Sequence, residues 1–303
     1  MKEKFENFKF KGETLKVIEQ ANSIIEEYQE QGYELTLRQL YYQFVARGLI
    51  ANSQRSYSRL GDIISNARLN GDLDWAAIKD RTRELEGVGH DQDPASAIEW
   101  VADNYHIDLR KGQPIYIETW VEKEALAGVV GKACRQFDVN YFACRGYVSQ
   151  TAMYEASKRF QRRQRYGAER CLIIHLGDHD PSGIDMTRDI EERLNNTFGV
   201  PTTIKRIALN MPQVEEFNPP PNPAKLTDSR VDGYIERFGD LSWELDALEP
   251  KIITSLIHHE IIANSDMDLF KDRMKLQEEQ KELLVKCSLD WDNIAERLNE
   301  EYE

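Results

Sequence analysis

Apolar positions recur with two different periods along this chain, and the change comes near residue 114. Before it the spacing is helical: Leu15, Ile18, Ala21, Ile25 and Tyr28 make one stripe. Thr36, with Gln39 three residues on, is a capping-box start, and the helix it opens ends before Gly48. A third helix is predicted from about Gln54 to Leu69, with Tyr57, Leu60, Ile63, Ile64 and Ala67 inward and Asn70-Gly71 closing it. Three short helices joined by tight glycine turns suit a helix-turn-helix or winged-helix module. The third helix would turn Arg55 and Arg59 outward, where a recognition helix meets DNA. A solvated helix face would carry the same arginines.

After residue 114 the runs PIYIETWV, VNYFAC, CLIIHLG and PTTIKRIAL read as strands, with helical segments between them. Strand and helix in alternation imply a mostly parallel α/β sheet, which places chemistry beyond the carboxyl ends of its strands. EGVGHDQDP (86–94) reads as a loop leading to a helix capped by Asp93 with Pro94 at its first turn. NPPPNPAKLTDSR (218–230) reads as a proline-stiffened loop, with helices after it. The expected organisation is a helical, winged-helix-like unit at 1–110, an α/β unit at 111–250 and an acidic helical segment at 251–303.

Composition narrows the partners. At 41% hydrophobic and 30% charged residues, with no 18-residue apolar run and a charged MKEKFENFKFKGE start, the chain is expected to be cytoplasmic and free of the membrane. Cys134, Cys144, Cys171 and Cys287 lack paired metal spacing and read as reduced thiols. The net charge of −14 weighs against nucleic acid, but the charge is uneven. Arg38 to Arg68 holds five arginines against one acid, Asp62, and KRFQRRQR (158–165) contributes Arg162, Arg163 and Arg165. Local positive potential is what a phosphate backbone needs. Phe160 and Tyr166 would anchor this basic helix; a solvated face is the alternative.

The carboxyl ends of the strand-like runs collect acids. TWVEKEAL puts Glu122 just past the first, and GDHDPSGID puts Asp178 and Asp180 at the third, with Asp185 a turn later. Carboxylates gathered in one small volume suit Mg²⁺, which could neutralise charge developing on a phosphodiester. Taken singly they are less telling: Asp180 before Pro181 is a good helix cap, and Glu122 could be a surface acid beside Lys123.

VEKEAL followed by GDHDPSGID resembles the TOPRIM domain, and most closely that of the A subunit of topoisomerase VI and its meiotic double-strand-break relatives. Those proteins carry a winged-helix domain in front, with a nucleophilic tyrosine in a motif to which RQLYY (38–42) is similar. WELDAL (243–248) is similar, more loosely, to a late family motif. The resemblance spans roughly residues 30–260 and is closest to solitary, reduced A-subunit relatives of bacterial and mobile-element genomes. It implies Tyr42 as nucleophile, Arg38 as its activating or phosphate-binding neighbour, and Glu122, Asp178 and Asp180 as ligands of Mg²⁺, with Mn²⁺ as a substitute. The resemblance also makes Arg145, in the ACRGYVS turn, a weaker candidate for phosphate contact. It also implies double-stranded DNA as partner and a homodimer, because tyrosine and TOPRIM site come from different subunits in the family. The chain has no Gly-rich ATPase motif, so strand passage would need a separate ATPase or accessory protein.

Three activities are open: tyrosine transesterification of DNA, hydrolysis by a TOPRIM nuclease or nickase with water as nucleophile, and DNA binding without chemistry. The two adjacent tyrosines are expected to divide the work. Leu37, Leu40, Tyr41, Phe44 and Val45 follow a buried stripe, while Tyr42 falls about 100° round the helix from Tyr41, above Arg38, on a face without apolar partners.

Overall fold

The computed structural model describes residues 2–79, 90–224, 228 and 230–302. Its first unit is three helices, α1 (Gly12–Glu30), α2 (Leu37–Ala46) and α3 (Gln54–Asn70). The Thr36–Gln39 capping box forms in both directions, and Gly71 closes α3 at φ 80°, a conformation that favours glycine. Ile18, Ala21, Ile24, Ile25 and Tyr28 of α1 pack against Leu40, Phe44, Leu60, Ile64 and Ala67. Leu15, expected in the stripe, is exposed. The strand content of this unit, among the described residues, is one parallel bridge between Leu35 and Ile78.

The α/β unit is a four-stranded parallel sheet in the order β2-β1-β3-β4, where β1 is Ile115–Val121, β2 Asn140–Ala143, β3 Arg170–Leu176 and β4 Thr202–Ala208. All four fall on the strand-like runs. Alternate side chains serve opposite faces. Ile117, Val121, Leu172, Ile174 and Leu176 meet α5 (Ala127–Arg135) and α10 (Pro250–Ala263) on one side. Tyr116, Trp120, Cys171 and Ile173 meet α6 (Gln150–Arg165) and α7 (Pro181–Glu192) on the other. Burying both faces is why β1 and β3 read as continuous apolar runs. Three of the cysteines are buried in these layers, and Cys287 is exposed.

The remaining elements are α4 (Pro94–Asn104), α8 (Met211–Phe217), a hairpin-like pair β5 (Asn222–Pro223) and β6 (Leu241–Ser242), α9 (Val231–Phe238), α11 (Met267–Leu289) and α12 (Trp291–Tyr302). Asp93 and Pro94 start α4 as expected. That helix joins α11 rather than the first three helices: Ser288 Oγ donates to Ala95 O at 2.9 Å, and Tyr105 Oη donates to Gln280 Oε1 at 2.8 Å. Likewise α10, grouped with the acidic segment by sequence, contributes Ile253, Ile257 and Ile261 to the core of the sheet. Residues 80–89, which include the first four residues of the predicted 86–94 loop, and residues 225–227 and 229 of the proline-rich loop lie outside the described residues. Among the described residues no helix is long and apolar enough to cross a membrane.

Candidate functional site: an acid–base cluster at the strand ends

The carboxyl ends of β1 and β3 are adjacent in the sheet, so their following turns share one space. Glu122 N–H donates to Leu176 O at 2.9 Å, and Asp178 N–H donates back to Glu122 Oε2 at 2.9 Å. Asp180 caps α7, its Oδ1 accepting from Gly183 N–H at 2.6 Å. Glycine is required here by contact: a Cβ at Gly183 would lie 2.3 Å from Asp178 O and 3.0 Å from Glu122 Oε2. At Gly177 it would lie 2.9 Å from that same oxygen.

Arg206, on β4, fixes this turn from behind. Its Nη2 donates to Gly177 O at 2.8 Å, Asp178 O at 2.6 Å and Leu209 O at 3.2 Å, and its Nη1 to Gly183 O at 2.9 Å. The segment after β6 closes the front. His179 and Trp243 exchange backbone hydrogen bonds of 2.8 and 2.9 Å, which brings Glu244, Leu245 and Asp246 onto the D-x-D turn. Leu245 N–H then donates to Asp178 Oδ1 at 2.8 Å.

Lys123 stands at the centre. Its Nζ lies 2.9 Å from Asp178 Oδ2, 2.7 Å from Glu244 Oε2 and 3.1 Å from Asp246 Oδ1. Arg38 reaches the same pair from α2, Nη2 to Glu244 Oε2 at 2.8 Å and Nε to Asp246 Oδ2 at 3.1 Å. The Tyr42 side chain lines the same cleft as Glu244, which acts on its hydroxyl, and the Arg38 guanidinium lies 5.7 Å from the centre of its ring. Residues from α2, the β1 end, the β3 end and the 243–247 segment thus form one contiguous polar cluster.

Its electrostatics follow from burial and neighbours. Burial, then the Asp178 charge, pushes the Glu122 carboxyl up to about 7. Burial pushes Asp178 up to about 6, against the pull of Lys123. Burial works against Glu244 too, yet Lys123, with Tyr42 and Arg38, brings it down to about 2. Lys123 is held above its ordinary value by three carboxylates in spite of its burial. Tyr42 is raised by burial, then by Asp246 and Glu244.

Tyr42 corrects the sequence reading. It is 4% exposed, packed in the same core as Tyr41, with the two ring centres 5.3 Å apart. The face that lacked apolar partners on the helix is covered by residues from far along the chain, Glu244 and Ala247 among them. A polar cleft of about 230 Å³ opens beside it, lined by Arg38, Tyr42, Asn52, Ser53, Tyr57 and Glu244.

Mg²⁺ commonly takes one or two carboxylates and completes its shell with water. Glu122 Oε1 and the second oxygen of Asp180 accept no hydrogen bond from the described residues, whereas both Asp178 oxygens are engaged. Among the described residues no three acidic, histidine or cysteine side chains converge as a ready metal cage. Glu122 and Asp180 are thus the two residues here that keep a carboxylate oxygen for an ion completed by water, while Asp178 is engaged by Lys123 and Leu245.

Of the candidate DNA contacts only Arg145 borders the cluster. Arg55 and Arg59 project from α3, with Arg59 3.9 Å from Glu13. Arg145 sits at φ 57° in the turn after β2; its N–H donates to Glu122 O at 2.9 Å, while its exposed guanidinium pairs with Glu124 at 2.8 Å. Arg162 and Arg165 are exposed, and Arg163 pairs with Asp108 at 3.0 Å. These three lie at the end of α6, beside the start of β3 and so at the opposite edge of the sheet from the acids. Phe160 is buried as expected, but Tyr166 is 77% exposed and anchors nothing.

Sequence reasoning passed over Arg206 and gave Lys123 no role beyond pairing with Glu122. WELDAL was the available signal for Glu244 and Asp246. Set against protein-family models and against curated proteins, the chain matches none. Fold and site define the class: an α/β protein with a parallel sheet and an acid–base cluster beyond its strand ends.

Proposed function

We propose that this chain cleaves DNA by transesterification, with Tyr42 as nucleophile, in a winged-helix-plus-TOPRIM arrangement. One observation carries the reading: the Tyr42 hydroxyl and Arg38 share a single polar cluster with Lys123 and Asp178. A scissile phosphate in the cleft beside Tyr42 would meet Arg38 directly. The Tyr42 Oη–P bond forms as the P–O3′ bond breaks, leaving a 5′-phosphotyrosyl end and a 3′-hydroxyl. Glu244, which neighbours the Tyr42 hydroxyl, would accept the phenol proton; the departing O3′ takes up a proton from water. Mg²⁺ or Mn²⁺ held by Glu122 and Asp180 would neutralise charge on the phosphodiester. The arginines of α3 and α6 would supply sequence-independent phosphate contacts.

Both halves of the site come from one chain in this reading, so a second copy is not needed to complete it. The test is supercoiled plasmid with Mg²⁺ or Mn²⁺, electrophoresed with and without protease. Protein-linked ends that disappear in Tyr42→Phe and in Asp178→Asn are expected. Mixing those two variants should not restore cleavage; restoration would mean a site shared between subunits. Cleavage at the full rate in Tyr42→Phe, with free ends, refutes the tyrosine mechanism. That outcome defines the second reading, hydrolysis by water, which is favoured by one fact: the Tyr42 phenol is raised rather than lowered by its surroundings.

A further inference from the structure

A second cavity, of about 300 Å³, lies at the opposite edge of the sheet, where β1 and β3 begin. Arg110, Lys111 and Arg163 line it against a single acid, Asp108, with Tyr116 and Tyr166 as its aromatic walls. In a chain of net charge −14, three cations around one hole are a local reversal of sign.

Arg110 is the informative member. It is 9% exposed, and burial draws its guanidinium down to about 10. Buried guanidinium groups normally find a carboxylate. Arg110 has Ser265 Oγ at 3.0 Å and Phe137 O at 3.5 Å, its Nε has no partner, and no carboxylate of the described residues lies within ion-pairing distance. Asp108 is occupied elsewhere: Oδ1 accepts from the Arg110 backbone N–H at 3.0 Å, and Oδ2 pairs with Arg163 at 3.0 Å. A largely desolvated cation lines this cavity, with Asp138 and Asp108 near enough to act on its charge but neither paired with its guanidinium, and with its Nε unpartnered.

Basic groups in the last turn of α6 complement the helix dipole, which accounts for Arg162, Arg163 and Arg165 without a ligand. That account does not reach Arg110 or Lys111, which precede β1 and belong to no helix.

The geometry points to an anion site for the phosphate of a nucleotide, with Arg110 and Lys111 on the phosphate and the exposed Tyr166 ring at the rim to stack a base. Aromatic rings of this kind hold bases with little regard to identity. The acid cluster and Tyr42 take no part, and the variants that test this site, at Arg110 and Lys111, lie outside the residues assigned to cleavage, so the two readings fail separately.

The test uses the whole chain without metal, in low salt. dAMP, deoxyadenosine and a 5′-phosphorylated or 5′-hydroxyl oligonucleotide are titrated by calorimetry, and dAMP also by ³¹P shift. Saturable dAMP binding with none for deoxyadenosine is expected, weakened at least tenfold in Lys111→Glu, whose side chain is exposed, and in Arg110→Gln. Arg110→Lys, which keeps the charge, should retain part of the binding and guards against loss by misfolding. Preference for the 5′-phosphorylated oligonucleotide over dAMP would identify a nucleic-acid terminus as the source of the phosphate; the reverse would identify a free nucleotide. No saturable dAMP or oligonucleotide binding, or binding indifferent to Lys111→Glu and Arg110→Gln, overturns the site.

Discussion

Removing the Lys123 ammonium is the sharpest perturbation of the strand-end cluster. The side chain is 19% exposed and touches three carboxylates, of which Asp246 is fully buried and Asp178 9% exposed. At an effective dielectric of about 20, each contact near 3 Å is worth roughly 5 kcal/mol of gross attraction, most of it offset by desolvation. Breaking such a buried pair by deleting one partner costs about 3–5 kcal/mol, because the stranded carboxylates stay buried. Lys123→Met should therefore lose about that much in urea unfolding at pH 7.5 with chelator present. Adding Asp178→Asn, which keeps the acceptor for Leu245 N–H, should return part of the loss. The pH dependence has a defined sign. The folded-state pKa of Asp178 lies above its ordinary value, so its contribution is fullest below about pH 4 and declines as pH rises through about 6. Without Lys123 that decline steepens, and the variant's deficit at pH 5 should be smaller than at pH 7.5. A Lys123→Met protein within about 0.5 kcal/mol of the parent at both pH values would show that the lysine is solvated and the cluster not formed.

Two further substitutions test the frame around the site. Gly183→Ala sets a Cβ 2.3 Å from Asp178 O and should cost about 2–3 kcal/mol in thermal unfolding, whereas Gly233→Ala in α9, with nothing within 4 Å, should be neutral or stabilising by about 0.5–1 kcal/mol. His175 is fully buried, with Nδ1 2.9 Å from Thr187 Oγ1, and burial lowers it from 6.5 to about 3. Its stability contribution is present above pH 6.5 and lost as pH falls towards 3, by at most about 5 kcal/mol. His175→Asn should flatten that acid limb in denaturant titrations at pH 7, 5.5 and 4; an unchanged slope would assign the acid loss to other groups.

The parts legible in sequence were those governed by neighbours along the chain. Thr36 and Gln39 meet because three residues make one turn, and Asp180 caps α7 because Pro181 can only begin it. β1 and β3 announced themselves by apolar runs ending abruptly in charge, which is how a doubly covered strand leaves the core. What failed was any inference about a surface covered from elsewhere. The helical period of α2 reports the face that packs on α1 and α3, and says nothing of the 243–247 segment that arrives some 200 residues later to bury Tyr42. Lys123 and Arg206 failed for the same reason in reverse. A lone cation in sequence reads as solvated, and only the fold surrounds one with carboxylates and the other with backbone carbonyls.

That covering segment also bears on the chemistry. Glu244 and Asp246 already hold the two cations, Arg38 and Lys123, that a phosphodiester beside Tyr42 would seek. In the proposed tyrosine mechanism the phosphate must exchange places with a carboxylate on Arg38; being an anion itself, it leaves the charge beside the phenol unchanged. The acids beside Tyr42 raise it in the resting chain, so the proposed attack depends on Glu244 taking the phenol proton. A water nucleophile at Glu122 and Asp180 needs no such exchange, because neither residue pairs with Arg38. The two mechanisms therefore make opposite demands on one ion pair. Loosening Glu244 from Arg38 helps the first and is indifferent to the second.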